Sequence, residues 1–79
     1  MHRYFANVRT SSGEFIADLE GDEFDGVDQC RADTLTIAAD LLANSRGQDW
    51  RGCSFEVTDE QGRTVLVLPF SEAPQPKRV

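Results

Sequence analysis

The sequence predicts an α+β domain of two layers, ββαββ in order, with a four-stranded antiparallel sheet and one amphipathic helix packed on one face. Three observations carry that expectation. Two pairs of short apolar-alternating segments are each joined by a glycine-bearing turn. One stretch of helical periodicity lies between the pairs. A chain of 79 residues has room for one core, so helix and strands must share it.

The first strand is read at Arg3 to Arg9, where Tyr4, Ala6 and Val8 alternate with Phe5, Asn7 and Arg9. Thr10-Ser11-Ser12-Gly13 is a turn, with Gly13 suited to positive φ. Glu14 to Leu19 returns as the second strand. Placing Arg9 opposite Glu14 sets Tyr4, Ala6 and Val8 beside Phe15, Ala17 and Leu19. Glu20 to Gly26 reads as an acidic connection, and Asp25 as the N-cap of a helix from Val27 to about Ser45. Its buried stripe is Val27, Cys30, Thr34, Ala38, Leu41, Leu42 and Ser45, flanked by Leu35 and Ile37. Arg46 suits the helix C-terminus and Gly47 the αL cap. Cys53 to Thr58 and Arg63 to Phe70 form the second hairpin, around Asp59-Glu60-Gln61-Gly62. Residues 1–72 are expected to form the domain, and 73–79, with Pro74 and Pro76, a flexible tail.

The last strand breaks the pattern. Val65, Leu66, Val67 and Leu68 are apolar on both faces, and one helix shields only one face. Phe5, Ile16, Val65 and Val67 are left for the uncovered side. Burying a side chain of this kind is worth roughly 1.5–3 kcal/mol, a large amount for a small domain. A second copy of the chain is the expected cover, face to face or by pairing along the last strand, where Pro69 would limit the length.

Charge narrows the partners. The net charge of -6 disfavours nucleic acid and anionic membrane surfaces, and no apolar run approaches the ~20 residues of a membrane span. The opening Met1 to Arg9 lacks the apolar core of a signal peptide, which points to the cytoplasm. Cys30 and Cys53 form no C-x-x-C pair and, with the single His2, make no usual zinc set. They read as small buried side chains, and whether they approach each other is open. The acidic segment Asp18 to Asp28 has the density of a calcium loop, but Glu23 stands where the turn needs Gly and Gln29 where a bidentate Glu is needed. It reads as a solvated loop. No cofactor, metal site or catalytic set is expected: the six glycines are isolated turn residues, and no serine or cysteine sits in a motif with His2. Trp50 with Arg46 and Arg51 could make an exposed aromatic–basic spot, against the alternative of a tryptophan that closes the core.

The opening Met1-x-Arg3-Tyr4-Phe5-x-Asn7-Val8-Arg9, the Asp18-x-x-Gly21 turn, and Phe55-Glu56-Val57-x-Asp59-x-x-Gly62-x-x-Val65-Leu66-x-Leu68-Pro69-Phe70-Ser71-Glu72 together resemble a family of short alphaproteobacterial, rhizobial-type proteins whose domain has no assigned function. The resemblance implies a bacterial origin and a compact fold. It implies no activity and supplies no catalytic residue. Ala6 departs from a pattern that favours a second aromatic there.

The expected role is that of a non-enzymatic cytoplasmic interaction module that forms a homodimer and binds a protein partner not identified by the sequence. Two other readings stand beside it. One is an antitoxin-like or regulatory partner whose acidic surface meets a basic protein. The other is a small-molecule or metal-ion sensor built on the acidic loop or the open sheet face.

Overall fold

A helix of 17 residues lies between two groups of short strands in a computed structural model that describes residues 1–44 and 49–74. The strands are β1 (His2–Arg9), β2 (Phe15–Ile16), β3 (Asp22–Phe24), β4 (Ser54–Thr58) and β5 (Thr64–Pro69). Helix α1 (Val27–Ala43) connects β3 to β4, and a single 3-10 turn, Phe70–Glu72, follows β5. Every strand pair is antiparallel, in the order β2-β1-β4-β5, with β3 paired to the N-terminal end of β1. This is the expected two-layer α+β architecture, with one strand more than the sequence suggests.

The core lies between the helix and one sheet face. Cys30, Thr34 and Ala38, spaced by four, form the buried stripe of α1, and Leu35, Leu41 and Leu42 pack at its sides. From the sheet, Phe55 and Val57 of β4 alternate inward with Leu68 of β5. Tyr4, Ala6, Val8 and Leu66 complete that face. The ring of Phe70 stacks on Phe55 with centroids 4.7 Å apart and on Trp50 at 5.9 Å. Val27 and Ile37, placed by periodicity on or beside the buried stripe, remain more than a third exposed, so the buried stripe is narrower than the sequence suggests.

The first hairpin departs from the expected register by one residue. Arg9 pairs with Phe15 and Val8 with Ile16. The turn explains the slip. Thr10 N–H donates to the Glu14 carbonyl at 2.9 Å, and Gly13 takes φ +91°, so the loop closes on three residues with glycine in the left-handed position. A one-residue slip exchanges the faces of a strand. Phe15 therefore joins Arg9 on the side away from the helix, and Ile16, expected on that uncovered side, joins Val8 on the helix side.

The segment from Ala17 also differs. The second strand ends at Ile16, and the acidic connection contains β3, which pairs Asp22, Glu23 and Phe24 with Tyr4, Arg3 and His2. The helix starts on Gly26 as N-cap, with no side-chain cap; Asp25, expected in that role, instead donates its backbone N–H to Gln29 Oε1 at 2.8 Å. Helix α1 is described to Ala43, with Asn44 as its C-cap, and Ser45, expected at the helix end, lies outside the described residues. Arg46 and Gly47 lie outside the described residues, as do residues 75–79 of the expected tail. Packing continues past residue 72 to Ala73, which is buried and donates its N–H to the Phe70 carbonyl.

Phe70 joins the 3-10 turn, β4 and the helix end through its ring. Replacing it by alanine is expected to lower unfolding stability by about 3–5 kcal/mol, read as a drop in urea midpoint at unchanged slope. A loss below about 1 kcal/mol would show that the stack is not part of the core.

Candidate functional site

The sheet face away from the helix is the surface on which the sequence places a site. Alternation puts Arg3, Phe5, Asn7 and Arg9 of β1 there, with Ser54, Glu56 and Thr58 of β4 and Val67 of β5. Its centre is polar and internally satisfied. Arg9 Nε meets Glu56 Oε2 at 3.0 Å, its Nη1 donates to the Gly13 carbonyl, and its guanidinium lies 4.7 Å from the centre of the Phe15 ring. Asn7 is buried: its Nδ2 donates to the Glu56 carbonyl at 2.9 Å and to Thr58 Oγ1 at 3.2 Å.

Asn7 also anchors the chain that crosses beside it. Its Oδ1 accepts the Asp18 N–H at 2.9 Å. The Asp18 carboxylate then accepts three backbone N–H groups, from Ala6 at 3.1 Å, Glu20 at 3.2 Å and Gly21 at 3.1 Å. Between β2 and β3, this carboxylate serves as the ladder partner that β1 lacks at Ala6. Gly21 takes φ +67°, and a Cβ there would lie 2.7 Å from the Tyr4 carbonyl oxygen and 2.9 Å from the Phe5 ring. Arg3 secures the same loop by donating to the Glu20 carbonyl at 2.7 Å and pairing with Glu23 at 2.9 Å. The sequence reads Asp18 as one member of a solvated acidic loop. Its structural role was visible only as the spacing Asp18-x-x-Gly21.

Of the four residues expected to share the uncovered face, the strand register places two there, Phe5 and Val67. Phe5 lies there but is half-buried against the loop at Gly21. Val67 is 58% exposed and Val65 38% exposed. Val65 is the extra residue of an irregularity, since Val57 pairs with Leu66 and Thr58 with Thr64. Ile16, 50% exposed, is on the opposite face. Phe15, which the expected register assigned to the core side, is 48% exposed and lies on the open face beside Arg9, across the polar centre from Val67.

At the other end of the domain Trp50 is half-buried against Phe70, as a core-closing residue would be. Arg51 does not stack on it. Its guanidinium holds Asp49 at 3.0 Å, and that pairing moves the Asp49 carboxyl down and the Arg51 guanidinium up from their ordinary pKa values. A cleft of about 310 Å³ opens nearby, lined by Leu42, Arg51, Gly52, Phe70 and Ser71. Cys30 and Cys53 are both buried with free thiols. Burial pushes the Cys30 thiol up; a contact with Thr34 Oγ1 at 3.9 Å acts against this, and the charges of Asp33 and Asp22 add to it. Among the described residues, no group of three or more His, Cys, Asp or Glu is placed to hold a metal ion, and no helix is long and apolar enough to cross a membrane.

The open face and the Asp18 loop both fall within the part of the chain that matches a known family. Residues 3–71 match the family described as Domain of unknown function (DUF6894), and the chain belongs to it. No curated protein and no solved structure matches the chain.

Two outcomes follow from this geometry. Asp18→Ala leaves three N–H groups without their charged acceptor and is expected to cost about 2–3 kcal/mol in urea unfolding, with Asp18→Asn losing less. Equal stability of Asp18→Ala and the parent chain would remove the carboxylate from this role. For Cys30, a raised folded-state pKa means that its contribution to stability is complete below the unfolded thiol's ordinary 9.0 and is lost as pH rises through the folded value. Cys30→Ser is expected to lose that alkaline decline, measured as unfolding free energy against pH.

Proposed function

We propose that this domain is a non-enzymatic protein-interaction module that works as a homodimer. The observation that supports the reading is the exposure of Val67 and Val65 on β5, the outermost strand of a sheet whose far face no second layer of the described residues covers. A cytoplasmic, bacterial setting belongs to the same proposal. It rests on the resemblance at the chain's opening and on two cysteines held as thiols.

The acidic side of the molecule favours a basic protein as the further partner. Glu14, Glu20, Asp22 and Glu23 are all exposed along the margin formed by β2, β3 and the loop between them. Complementary charge of this kind speeds encounter and selects among partners. That is the regulatory, antitoxin-like form of the same interaction role.

Light scattering after size exclusion tests the dimer. At tens of micromolar the expected mass is twice the 8.8 kDa of the chain, and Val67→Lys shifts the species to monomer with an unchanged circular dichroism spectrum. A monomer for the parent chain across that range overturns the proposal.

A further inference from the structure

We infer that the second copy docks along the outer edge of β5, antiparallel to it, so that two sheets become one. The inference rests on the homodimer reading and places the contact at the strand edge, where Val67 meets its own copy while the rest of the open face stays exposed. β5 ends the sheet, with β4 on one side and no described strand on the other. Which of its backbone groups face outward follows from the ladder. Phe70 N–H donates to the Cys53 carbonyl at 3.0 Å, and Leu68 and Leu66 lie opposite Phe55 and Val57. Alternate residues of an antiparallel strand turn their backbone groups to opposite sides. Leu66, Leu68 and Phe70 thus address β4, and Val67 presents its N–H and C=O to the open edge.

Charge selects this edge for self-association. A chain of net charge -6 repels its own copy wherever acidic groups meet. The opposite margin of the sheet carries Glu14, Glu20, Asp22 and Glu23. From Thr64 to Ser71 there is no charged side chain at all. That neutral run is bracketed by Arg63 before it and Glu72 after it, so an antiparallel pair sets opposite charges at each end. Arg63 is available for this: its side chain is largely exposed, and its own ion pair with Asp59 is loose at 3.9 Å.

The edge also fixes where the pairing is centred. Natural edge strands are blunted with charges, prolines or bulges. β5 carries an irregularity at Val65 and a proline without an N–H at residue 69, and Val67 stands between them. A two-fold axis at Val67 lets each copy donate its Val67 N–H to the Val67 carbonyl of the other. The two Val67 side chains then lie side by side on the open face, and both helices fall on the same side of the joined sheet.

Amide exchange read by NMR tests this at single-residue resolution. In the dimer the Val67 N–H is expected to exchange at least tenfold more slowly than in samples diluted to monomer. Val67→Thr, which keeps the N–H and the β-branch, is expected to stay dimeric. Val67→Pro, which removes an N–H that the chain's own sheet does not use, is expected to be monomeric with its circular dichroism intact. If Val67→Pro fails to fold, the exchange of the parent chain decides alone. A dimer whose Val67 amide exchanges equally fast before and after dilution overturns edge pairing and leaves the homodimer standing. A monomer at every concentration overturns both.

Discussion

One helix must serve a sheet that has two faces, and the rest of the molecule is arranged around that shortage. A helix of 17 residues cannot wrap both sides of even a narrow sheet. The side it covers holds Phe55, Val57, Leu68 and Phe70, with the small residues Cys30, Thr34 and Ala38 letting the helix approach. The side it leaves open is handled strand by strand. On β1 and β4 the outward positions are polar except Phe5, which packs under the loop at Gly21, and they satisfy one another through Arg9–Glu56 and the bonds of Asn7. On β5 they are not polar. The difference lies in the sequence, because Asn7, Arg9, Glu56 and Thr58 alternate with apolar residues while Val65 to Leu68 do not.

The acidic loop solves a second shortage. The outer edge of β1 needs a partner along its whole length, but β2 and β3 reach only its two ends. Asp18 supplies the missing acceptor from a side chain, at Ala6, while shaping its own loop through Glu20 and Gly21. A carboxylate does this better than a backbone carbonyl because it is charged and can accept several bonds at once. The same arrangement closes an edge that would otherwise be open to another strand.

How much of this was legible in the sequence depends on the range of the interaction that decides each feature. The helix and its Cys30, Thr34 and Ala38 stripe follow from local periodicity, as does the division of β5 into Leu66 and Leu68 on one side and Val67 on the other. The left-handed Gly13 was readable from its turn. The register of that same turn was not, because three- and four-residue loops are both compatible with Thr10-Ser11-Ser12-Gly13. The wrong choice moved Phe15 and Ile16 to the wrong faces together. β3 was hidden because two of its three residues, Asp22 and Glu23, are poor strand formers. It is a strand because Arg3 pairs with Glu23 and Gly21 brings the chain against Tyr4 and Phe5. Such long-range causes leave no periodic trace. On the open face, alternation alone gives the positions of Phe5 and Val67; Val65 falls at an irregularity that alternation does not reveal, and Phe15 is displaced by the register alone.

The two margins of the sheet are treated in opposite ways, and this bears on how association would end. An uncovered edge that pairs with a copy of itself leaves, in a simple sheet, another edge free to continue the process. Here the other margin is broken into β2 and β3, plugged at Ala6 by the Asp18 carboxylate, and lined with exposed acidic groups. It offers a further copy neither a continuous ladder nor a neutral surface. Pairing through β5 about a two-fold axis uses the same edge on both copies, so the contact is self-complementary and consumes what it needs. The irregularity at Val65 and the missing N–H of Pro69 shorten the edge further, which keeps any foreign strand from gaining a long purchase on it. With a neutral edge on one side and an acidic, plugged one on the other, the edge pairing proposed above would stop at two.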